Sequence, residues 1–296
     1  MRKILSVSGG VDSMVLFELF KNDNVVVAHF NHKLRPSADE DEKFVKEICR
    51  KNNVRFEVGY LKVKPGEKIS EERARIERYN FLNNLKNRLE LESPEPVEIY
   101  TAHHLDDLTE TVAINLLRGT SWRGLTPFSS DIHRPFLQDN DILKPESKAD
   151  ILTFAARNHV HFRQDPTNFE PDFLRNRIRE KLSTLEPEKK YELNQKIKAL
   201  WKAQTKLRKE IEIALSELVD EEEFKEQGII KREWFFDLDE KVALEFLRYL
   251  LNLKNISLTG PKLKDFLIAI KAYSPEKKFN LPNNKLITIH KTYLKI

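Results

Sequence analysis

The residues with the clearest capacity for chemistry lie near the start of the chain, in the stretch Ser8-Gly9-Gly10-Val11-Asp12-Ser13. An aliphatic run before it predicts a buried strand, and an apolar run after it predicts a helix. A glycine-rich turn into a helix N-terminus lets backbone N–H groups approach an anion, and the helix dipole adds to the attraction. Ser8 and Ser13 add hydroxyl donors. Asp12 would repel a phosphate unless a metal bridges them, so the stretch predicts a phosphate site with Mg²⁺.

The spacing of the glycines excludes two common phosphate-binding loops. The Walker pattern requires a lysine directly after its second glycine, but Gly124 is followed by Leu125, and no G-x-G-x-x-G occurs. An ordinary strand-to-helix turn is the alternative interpretation. The two serines and the aspartate, in register after an N-terminal strand, favour a phosphate site.

A second chemical stretch runs from Ala102 to Thr111, directly after a predicted strand at 97–101. Its acids can cap the helix that follows, and His103, Asp106 and Glu110 fall near one face of the start of that helix. A single capping aspartate would most simply be structural. Two histidines and three acids at the carboxyl end of one strand favour a functional site, because parallel sheets bind ligands at that edge.

Polar residues also follow the second predicted strand, 24–30. His29 lies near the end of this strand and Asn31 directly after it. We expect both to contribute to the nucleotide site, since a strand end followed by polar residues is where a doubly wound sheet binds ligands.

The elements that must position these residues alternate along the first part of the chain. The predicted strands are 4–7, 24–30, 55–59 and 97–101, and the helices between them are 14–20, 39–51 and 69–91. This alternation predicts an α/β fold with a doubly wound parallel sheet and helices on both faces.

The rest of the chain changes character. Apolar residues recur at three- and four-residue steps from 188 to about 223 and predict one long amphipathic helix, a helical connector. Two helices near 242–251 and 262–272, then short strands with a turn at 283–284, predict a small α+β C-terminal domain. The expected boundaries are a first domain at 1–183, the connector at 184–225 and the small domain at 226–296.

Positive charge is concentrated in one stretch. The net charge of the 296 residues is +4, but 175–209 contains 12 basic and 4 acidic residues, so it carries +8 and the remainder about −4. Such a concentration is expected of a nucleic-acid contact face. Taken alone, Arg175, Arg177 and Arg179 fit a solvated helix face equally well.

The single cysteine, Cys49, excludes disulfides within the chain and cysteine-rich zinc sites. The sequence contains no signal peptide and no apolar run of 18 residues, so we expect a cytoplasmic protein without a membrane partner.

Together these motifs resemble the tRNA(Ile)-lysidine synthetases, a family of PP-loop (N-type) ATP pyrophosphatases, whose loop is similar to residues 8–13. The matching segments follow the family's order over about the first 180 residues. After the loop they are 31–35, 71–79, 101–111, 117–119, 134–135, 165–168 and 175–179. Only one small domain follows the connector, so the chain resembles the short form of the family.

The resemblance implies an adenine nucleotide alpha hydrolase-like fold and ATP-dependent ligation of L-lysine to C2 of the wobble cytidine of CAU-anticodon tRNA(Ile), through an adenylated cytidine. It implies ATP and Mg²⁺ as cofactors and tRNA recognition by the C-terminal domain; a homodimer stays open. The implied catalytic residues are Asp12, His103, Asp106, Glu110 and Arg118, with Asp12 also a metal ligand. The implied ATP contacts are Ser8, Gly9, Gly10, Val11, Asp12, Ser13, His29 and Asn31. The implied tRNA contacts are Arg35, Arg75, Arg175, Arg177 and Arg179.

Three alternative functions stay open. A PP-loop tRNA thiolase usually needs paired redox cysteines or an iron–sulfur cluster, which one cysteine cannot supply. The basic stretch at 175–209 argues against a small-molecule ATP-dependent amidase or synthetase. The many titratable residues at the expected sheet edge argue against a non-enzymatic nucleotide sensor.

Overall fold

The computed structural model describes residues 1–34, 37–63, 69–120, 122–128, 132–138, 145–163, 174–281 and 286–296, with only the backbone at 71 and 72. Its contacts divide the chain into a first unit, Met1–Trp201, and a second unit, Lys202–Ile296. The three-part division at 183/184 and 225/226 stays a prediction. Arg35, the motif at 165–168 and the turn at 283–284 lie outside the described residues.

The first unit is built on five parallel strands in the order β3-β2-β1-β4-β5. The strands are β1 Arg2–Ser6, β2 Val25–Asn31, β3 Arg55–Tyr60, β4 Val97–Tyr100 and β5 Ile132–His133. This order confirms the doubly wound parallel sheet. The sequence did not predict β5, because a strand of two residues has no periodicity to detect.

Helices follow the strands. They are α1 Val11–Phe20, α2 Ala38–Lys51, α3 Glu71–Glu92, α4 Leu105–Leu117, α5 Lys148–Arg157, α6 Leu174–Ser183 and α7 Pro187–Ser216, the last containing the division between the units. Adjacent residues of β1 point to opposite sides, as strand geometry requires. Ile4 packs in a cluster with Leu82 of α3, whereas Leu5 packs in a cluster with Val15 of α1 and Ile151 of α5. Both faces of the sheet are therefore covered.

The second unit is a small α+β unit, as predicted. It contains the end of α7, then α8 Glu221–Gln227, α9 Glu240–Leu253 and α10 Gly260–Ala272, and an antiparallel sheet in the order β6-β9-β8-β7. Its strands are β6 Ile229–Lys231, β7 Lys277–Asn280, β8 Leu286–Ile289 and β9 Tyr293–Lys295. Within the described ranges, no helix combines the length and the apolarity that crossing a membrane requires.

The prediction of one helix from 188 to about 223 was wrong. The helix α7 ends at Ser216, and α8 begins at Glu221. Asp220 caps the new helix, because its carboxylate accepts the N–H of Glu223 at 3.0 Å. The apolar period continues across the break, so periodicity alone could not locate it.

The turn between β1 and α1 depends on Gly9, whose φ of +94° is unfavourable for any residue with a Cβ. A Cβ there would also lie 3.4 Å from Cγ2 of Val45. Gly10 has an ordinary φ of −73°, and a Cβ at that position would meet only the Ser8 hydroxyl, at 3.6 Å.

We therefore expect Gly9→Ala to lower the free energy of unfolding by about 1–2 kcal/mol, the cost of a left-handed alanine. Gly10→Ala, a matched change one residue away, should change it by less than about 0.5 kcal/mol. Urea denaturation of both variants measures the difference. Equal destabilisation would show that the backbone at Gly9 is not the constraint.

Candidate active site

The site lies where the strand order reverses. β1 and β4 are parallel neighbours, with Arg2 opposite Val97 and Leu5 opposite Tyr100, while β2 lies on the other side of β1. In such a sheet, the loops that leave the two central strands open a crevice at the carboxyl edge. The sequence-predicted loops 7–10 and 101–104 are those two loops.

The serines of the first loop have different surroundings. The Ser13 Oγ accepts the N–H groups of Ser8 and Gly9 at 3.1 and 3.2 Å and donates to the Gly10 carbonyl at 2.9 Å. Ser13 is buried, whereas Ser8 is exposed. Ser13 therefore shapes the loop, and the Ser8 hydroxyl and the N–H groups of the first turn of α1 are the donors suited to an anion.

The structure gives His29 and Asn31 supporting contacts. The buried His29 donates from Nδ1 to the carbonyl of Val7 at 2.9 Å, and burial lowers its pKa, so the ring is neutral at pH 7. The Asn31 amide donates to the carboxylates of Asp39 and Glu42 at 2.9 and 2.8 Å. These contacts fix two pieces of backbone, the one beside the phosphate loop (residues 8–13) and the one at the start of α2.

Asp12 and the second loop meet at a histidine and a lysine that the sequence analysis did not select. Lys148 Nζ lies 2.6 Å from Oδ1 of Asp12. The buried His104 has Nε2 3.7 Å from Asp12 and 3.4 Å from Asp107, and Nδ1 3.6 Å from Asp106. Three carboxylates therefore surround one imidazole, with an ammonium group at their edge.

The negative charge of Asp106 is already balanced by partners within the protein. Its Oδ2 accepts the N–H of Lys148 at 2.8 Å, and Lys190 Nζ lies 2.5 Å from its Oδ1. Burial raises the pKa of Asp106, but these two partners outweigh burial and leave the pKa below its ordinary value. Asp106 is thus an ionised residue that joins α4 to α5 and α7.

Glu110 is similarly engaged. Arg179 donates to its two carboxylate oxygens at 2.8 and 3.0 Å, and Arg175 Nε lies 3.9 Å from Oε2. The glutamate side chain is 4% exposed, against 43% for Arg179. The structure therefore brings together a residue expected to be catalytic and two residues expected to bind tRNA.

His103 lies in a positive environment. Its Nδ1 is 2.9 Å from the Thr101 hydroxyl, and its ring centroid is 5.0 Å from that of Phe128. Burial lowers the pKa of His103 well below its ordinary value, and the guanidinium groups of Arg134 and Arg78 lower it further. The guanidinium of Arg75 lowers the pKa of His103 in the same way. The imidazole is neutral at pH 7.

Other expected site residues lie apart from this cluster. Arg118 is exposed at the C-terminal end of α4, about 18 Å along the helix from Asp106. Arg177 is exposed on α6 and forms no ion pair with any residue in the described ranges. The structure therefore does not bring Arg118 to the acids with which it was grouped.

Sequence reasoning counted His104 and Asp107 in the second chemical stretch without giving either a catalytic role, and it missed Lys148 and Lys190. One signal was present for Lys148, because it follows Ser147, which caps α5, and a lysine in a first helical turn opposes the helix dipole. Such a lysine needs a nearby anion. Lys190 gave no signal that distinguished it from the other lysines of its helix.

The donor set restricts how Mg²⁺ could bind. No three His, Cys, Asp or Glu side chains in the described part of the chain are arranged to hold a metal ion together. Asp12 is a single, 33% exposed carboxylate beside the phosphate loop. These residues fit a magnesium ion that takes most of its ligands from nucleotide phosphates and water, as Mg²⁺ commonly does.

Comparison with known proteins agrees with this geometry. A family model described as a PP-loop domain matches residues 1–186, which is more than half of the chain. The chain is therefore a PP-loop protein, of a class that uses ATP.

Proteins of similar sequence show which family of PP-loop proteins the chain belongs to. A tRNA(Ile)-lysidine synthase of Mycoplasmopsis pulmonis is 31% identical over 99% of both chains. The enzyme of the same name from Persephonella marina is 34% identical, over 60% of this chain and 40% of its own. The chain belongs to the tRNA(Ile)-lysidine synthase family. A solved U34-tRNA thiolase from Methanococcus maripaludis has 17% identity and a TM-score of 0.48 over 68% of this chain and 73% of that one, too low to carry information on function.

The Glu110–Arg179 pair gives a stability prediction. Arg179→Ala should lower the free energy of unfolding by roughly 3–5 kcal/mol, because it leaves a buried carboxylate without its main partner. Arg177→Ala, on the same helix but exposed, should cost less than about 0.5 kcal/mol. Urea denaturation compares the two. Similar small effects would mean that Glu110 is not held by Arg179 in solution.

Proposed function

We propose that the protein ligates L-lysine to C2 of the wobble cytidine of CAU-anticodon tRNA(Ile), which changes the amino-acid specificity of that tRNA from methionine to isoleucine. The observation that carries this proposal is the 31% identity to the Mycoplasmopsis tRNA(Ile)-lysidine synthase over 99% of both chains. The phosphate loop beside a cluster of carboxylates supports it, because the reaction needs both an ATP site and an amine site.

The reaction has two chemical requirements. Cytosine C2 is a poor electrophile, and transfer of AMP from ATP to O2 releases pyrophosphate and creates a leaving group. The neutral lysine ε-amine then forms a bond to C2, the C2–O2 bond breaks, and AMP leaves carrying O2. At pH 7 this amine is almost fully protonated, and deprotonating it costs about 4.6 kcal/mol from its ordinary pKa of about 10.4.

ATP is assigned to the first loop. The N–H groups at the start of α1 and the Ser8 hydroxyl would bind its phosphates. Mg²⁺ bound with ATP would neutralise charge that develops on the leaving pyrophosphate. Asp12 is its proposed protein ligand. Lys148, 2.6 Å away, holds that carboxylate in position and adds positive charge beside the phosphates.

The lysine site is assigned to the second loop, with one revision of the sequence-based hypothesis. Asp106 and Glu110 already have cationic partners in the protein, and their side chains are 9% and 4% exposed. Asp107 is 24% exposed and has its Oδ2 3.1 Å from the N–H of His104. We assign to Asp107 the contact with a lysine ammonium, and to Asp106 the positioning of Lys148.

The wobble nucleotide is assigned to the neighbourhood of His103. Arg75 and Arg78 each lie over the Tyr79 ring, at 5.5 and 5.3 Å, and their positive field reaches His103. Such a field suits the phosphate that flanks a bound nucleotide. A neutral His103 can accept a hydrogen bond without adding positive charge beside an incoming ammonium.

A PP-loop thiolase is a poorer interpretation of this site. Cys49 is buried, and burial raises the pKa of its thiol to about 12. A thiol of that kind is almost entirely protonated at pH 7 and is not a nucleophile. It is also the only cysteine of the chain.

The test is pyrophosphate release from ATP in the presence of total tRNA and each of twenty amino acids in turn. We expect release above background only with L-lysine, tRNA and Mg²⁺ together, and transfer of labelled lysine to the RNA. Release with a different amino acid, or without RNA, would contradict the proposal.

A matched pair of variants on α1 tests the loop. Asp12→Asn should lower turnover by at least about 100-fold while the fold is kept, because it weakens a contact that matters in the transition state. Glu18→Gln changes the same type of group near the other end of the helix, where Lys21 is the ion-pair partner of Glu18 within the part of the chain that the structure describes. Its turnover should be unchanged. Near-normal activity of a folded Asp12→Asn protein would remove Asp12 from the mechanism.

The revised lysine site makes a separate prediction. Asp107→Asn should raise the KM for lysine at least about 10-fold and change the KM for ATP much less, because the missing charge faces the amino acid. Asp106→Asn should instead lower stability and affect both substrates, since its partners are Lys148 and Lys190. Steady-state kinetics of both variants decides. A selective lysine effect in Asp106→Asn alone would reverse the assignment.

A further inference from the structure

The segment that follows α5 returns to the phosphate loop. Its Phe162 packs against the apolar cluster that contains Leu5 of β1 and Val15 of α1. Arg163, the next residue, donates its backbone N–H to the carbonyl of Gly9 at 2.9 Å. A segment far along the chain therefore makes a direct hydrogen bond to the backbone of the loop.

This hydrogen bond fixes the orientation of the peptide group that joins Gly9 to Gly10. The peptide bond is trans, so its C=O and its N–H point in opposite directions. With the carbonyl held toward Arg163, the Gly10 N–H is directed to the other side of the loop. The acceptor that it has within the loop, Oγ of Ser8, lies 3.5 Å away, which is long for such a bond. The Gly10 N–H is therefore a donor well placed for an anion.

The loop by itself does not determine which way this peptide points. Ser13 binds the N–H of Gly9 and the carbonyl of Gly10, but those groups belong to the two neighbouring peptides. Glycine tolerates positive and negative φ, so the peptide between two glycines can turn over without a clash from a Cβ. A reversed peptide would present its carbonyl oxygen, a partial negative charge, to the phosphates. The observed orientation therefore depends on a partner outside the loop.

The side chain of Arg163 joins this contact to α2. Its Nε donates to Oδ1 of Asp41 and its Nη2 to Oε2 of Glu40, each at 2.6 Å. The Asp41 side chain is 9% exposed and that of Glu40 is 64% exposed, so the bond to Asp41 is the stronger anchor. The same helix forms a wall of the loop, since a Cβ on Gly9 would lie 3.4 Å from Val45. Arg163 is therefore held beside the loop by a helix that already packs against it.

We propose that Arg163 is a positioning residue of the phosphate loop. Through Asp41 it keeps its own N–H on the Gly9 carbonyl, and so keeps the Gly10 N–H turned toward the nucleotide phosphates. The proposal rests on the assignment of ATP to this loop under the proposed function, and it is independent of the amino acid and the RNA that the enzyme uses. Because the Gly10 N–H would contact phosphate and not the nucleoside, loss of Arg163 should weaken the binding of phosphates selectively.

The test is the affinity for three probes, namely ATP, inorganic pyrophosphate and adenosine, measured with Mg²⁺ by equilibrium dialysis without RNA or lysine. The double variant Arg163→Met, Asp41→Asn removes the ion pair without leaving a buried carboxylate alone. It should bind ATP and pyrophosphate roughly 10-fold or more weakly, which is the effect of one lost hydrogen bond to a charged group. Its affinity for adenosine should change by less than about twofold, because adenosine has no contact with the altered peptide.

Arg55 offers a matched control. It also donates to two carboxylates, those of Glu57 and Glu92 at 2.9 and 2.6 Å, but it lies at the amino end of β3, at the edge of the sheet opposite the site. The double variant Arg55→Met, Glu57→Gln should bind all three probes within about twofold of the wild-type affinity. The single variant Arg163→Lys keeps a cation beside Asp41 and should recover most of the pyrophosphate affinity. Urea denaturation checks that each variant is folded.

Unchanged pyrophosphate affinity in the folded Arg163→Met, Asp41→Asn protein would overturn the proposal. Equal losses for adenosine and pyrophosphate would also overturn it, because they would mean a general disturbance of the site and not a turned peptide. The proposed reaction is judged separately, by lysine transfer to RNA. A wild-type protein that binds pyrophosphate, loses that binding selectively in the double variant and yet transfers no lysine would contradict the proposed function and leave the role of Arg163 intact.

Discussion

Two buried carboxylates on α4 set a constraint that much of the first unit satisfies. An ionised carboxylate that is removed from water costs several kcal/mol unless cationic or N–H partners replace the water. Asp106 and Glu110 obtain such partners from Lys148, Lys190 and Arg179, which lie on α5, α7 and α6. The helices α5, α6 and α7, which are distant from α4 in sequence, are thereby held against α4. This contact lies just after the carboxyl end of β4, beside the phosphate loop.

This arrangement also explains why the positive charge at 175–209 is not simply a surface for nucleic acid. Lys198 is 5% exposed and pairs with Glu146 at 2.6 Å, and the Asn194 side chain accepts a hydrogen bond from Thr109 at 2.6 Å. Both residues lie on α7, and the polar side of α7 that carries them faces α4 and the segment before α5. A charge count over a sequence window cannot distinguish a cation that supports a buried acid from one that contacts a ligand.

The sequence predicted the parallel sheet because its central strands are continuous β-branched runs, and predicted the position of the site because two strand ends carry polar residues. It could not predict the short strands β5 and β6, or the break before Asp220. It also could not identify Lys148 or Lys190, since contacts across more than 40 residues depend on how helices pack. Asp106 and Glu110 were recognised by their spacing, but their partners, which change the roles we assign to them, follow only from the tertiary structure.

Cys49 has a practical consequence for spectroscopy. Because it is the only cysteine, is buried and has a thiol pKa raised to about 12, it should react slowly with maleimides at neutral pH. The native cysteine should therefore take up little label when a second, exposed cysteine is labelled. A single cysteine introduced on an exposed strand or helix would carry a fluorophore or spin label without prior removal of the native thiol, and distances to labelled RNA become measurable in solution.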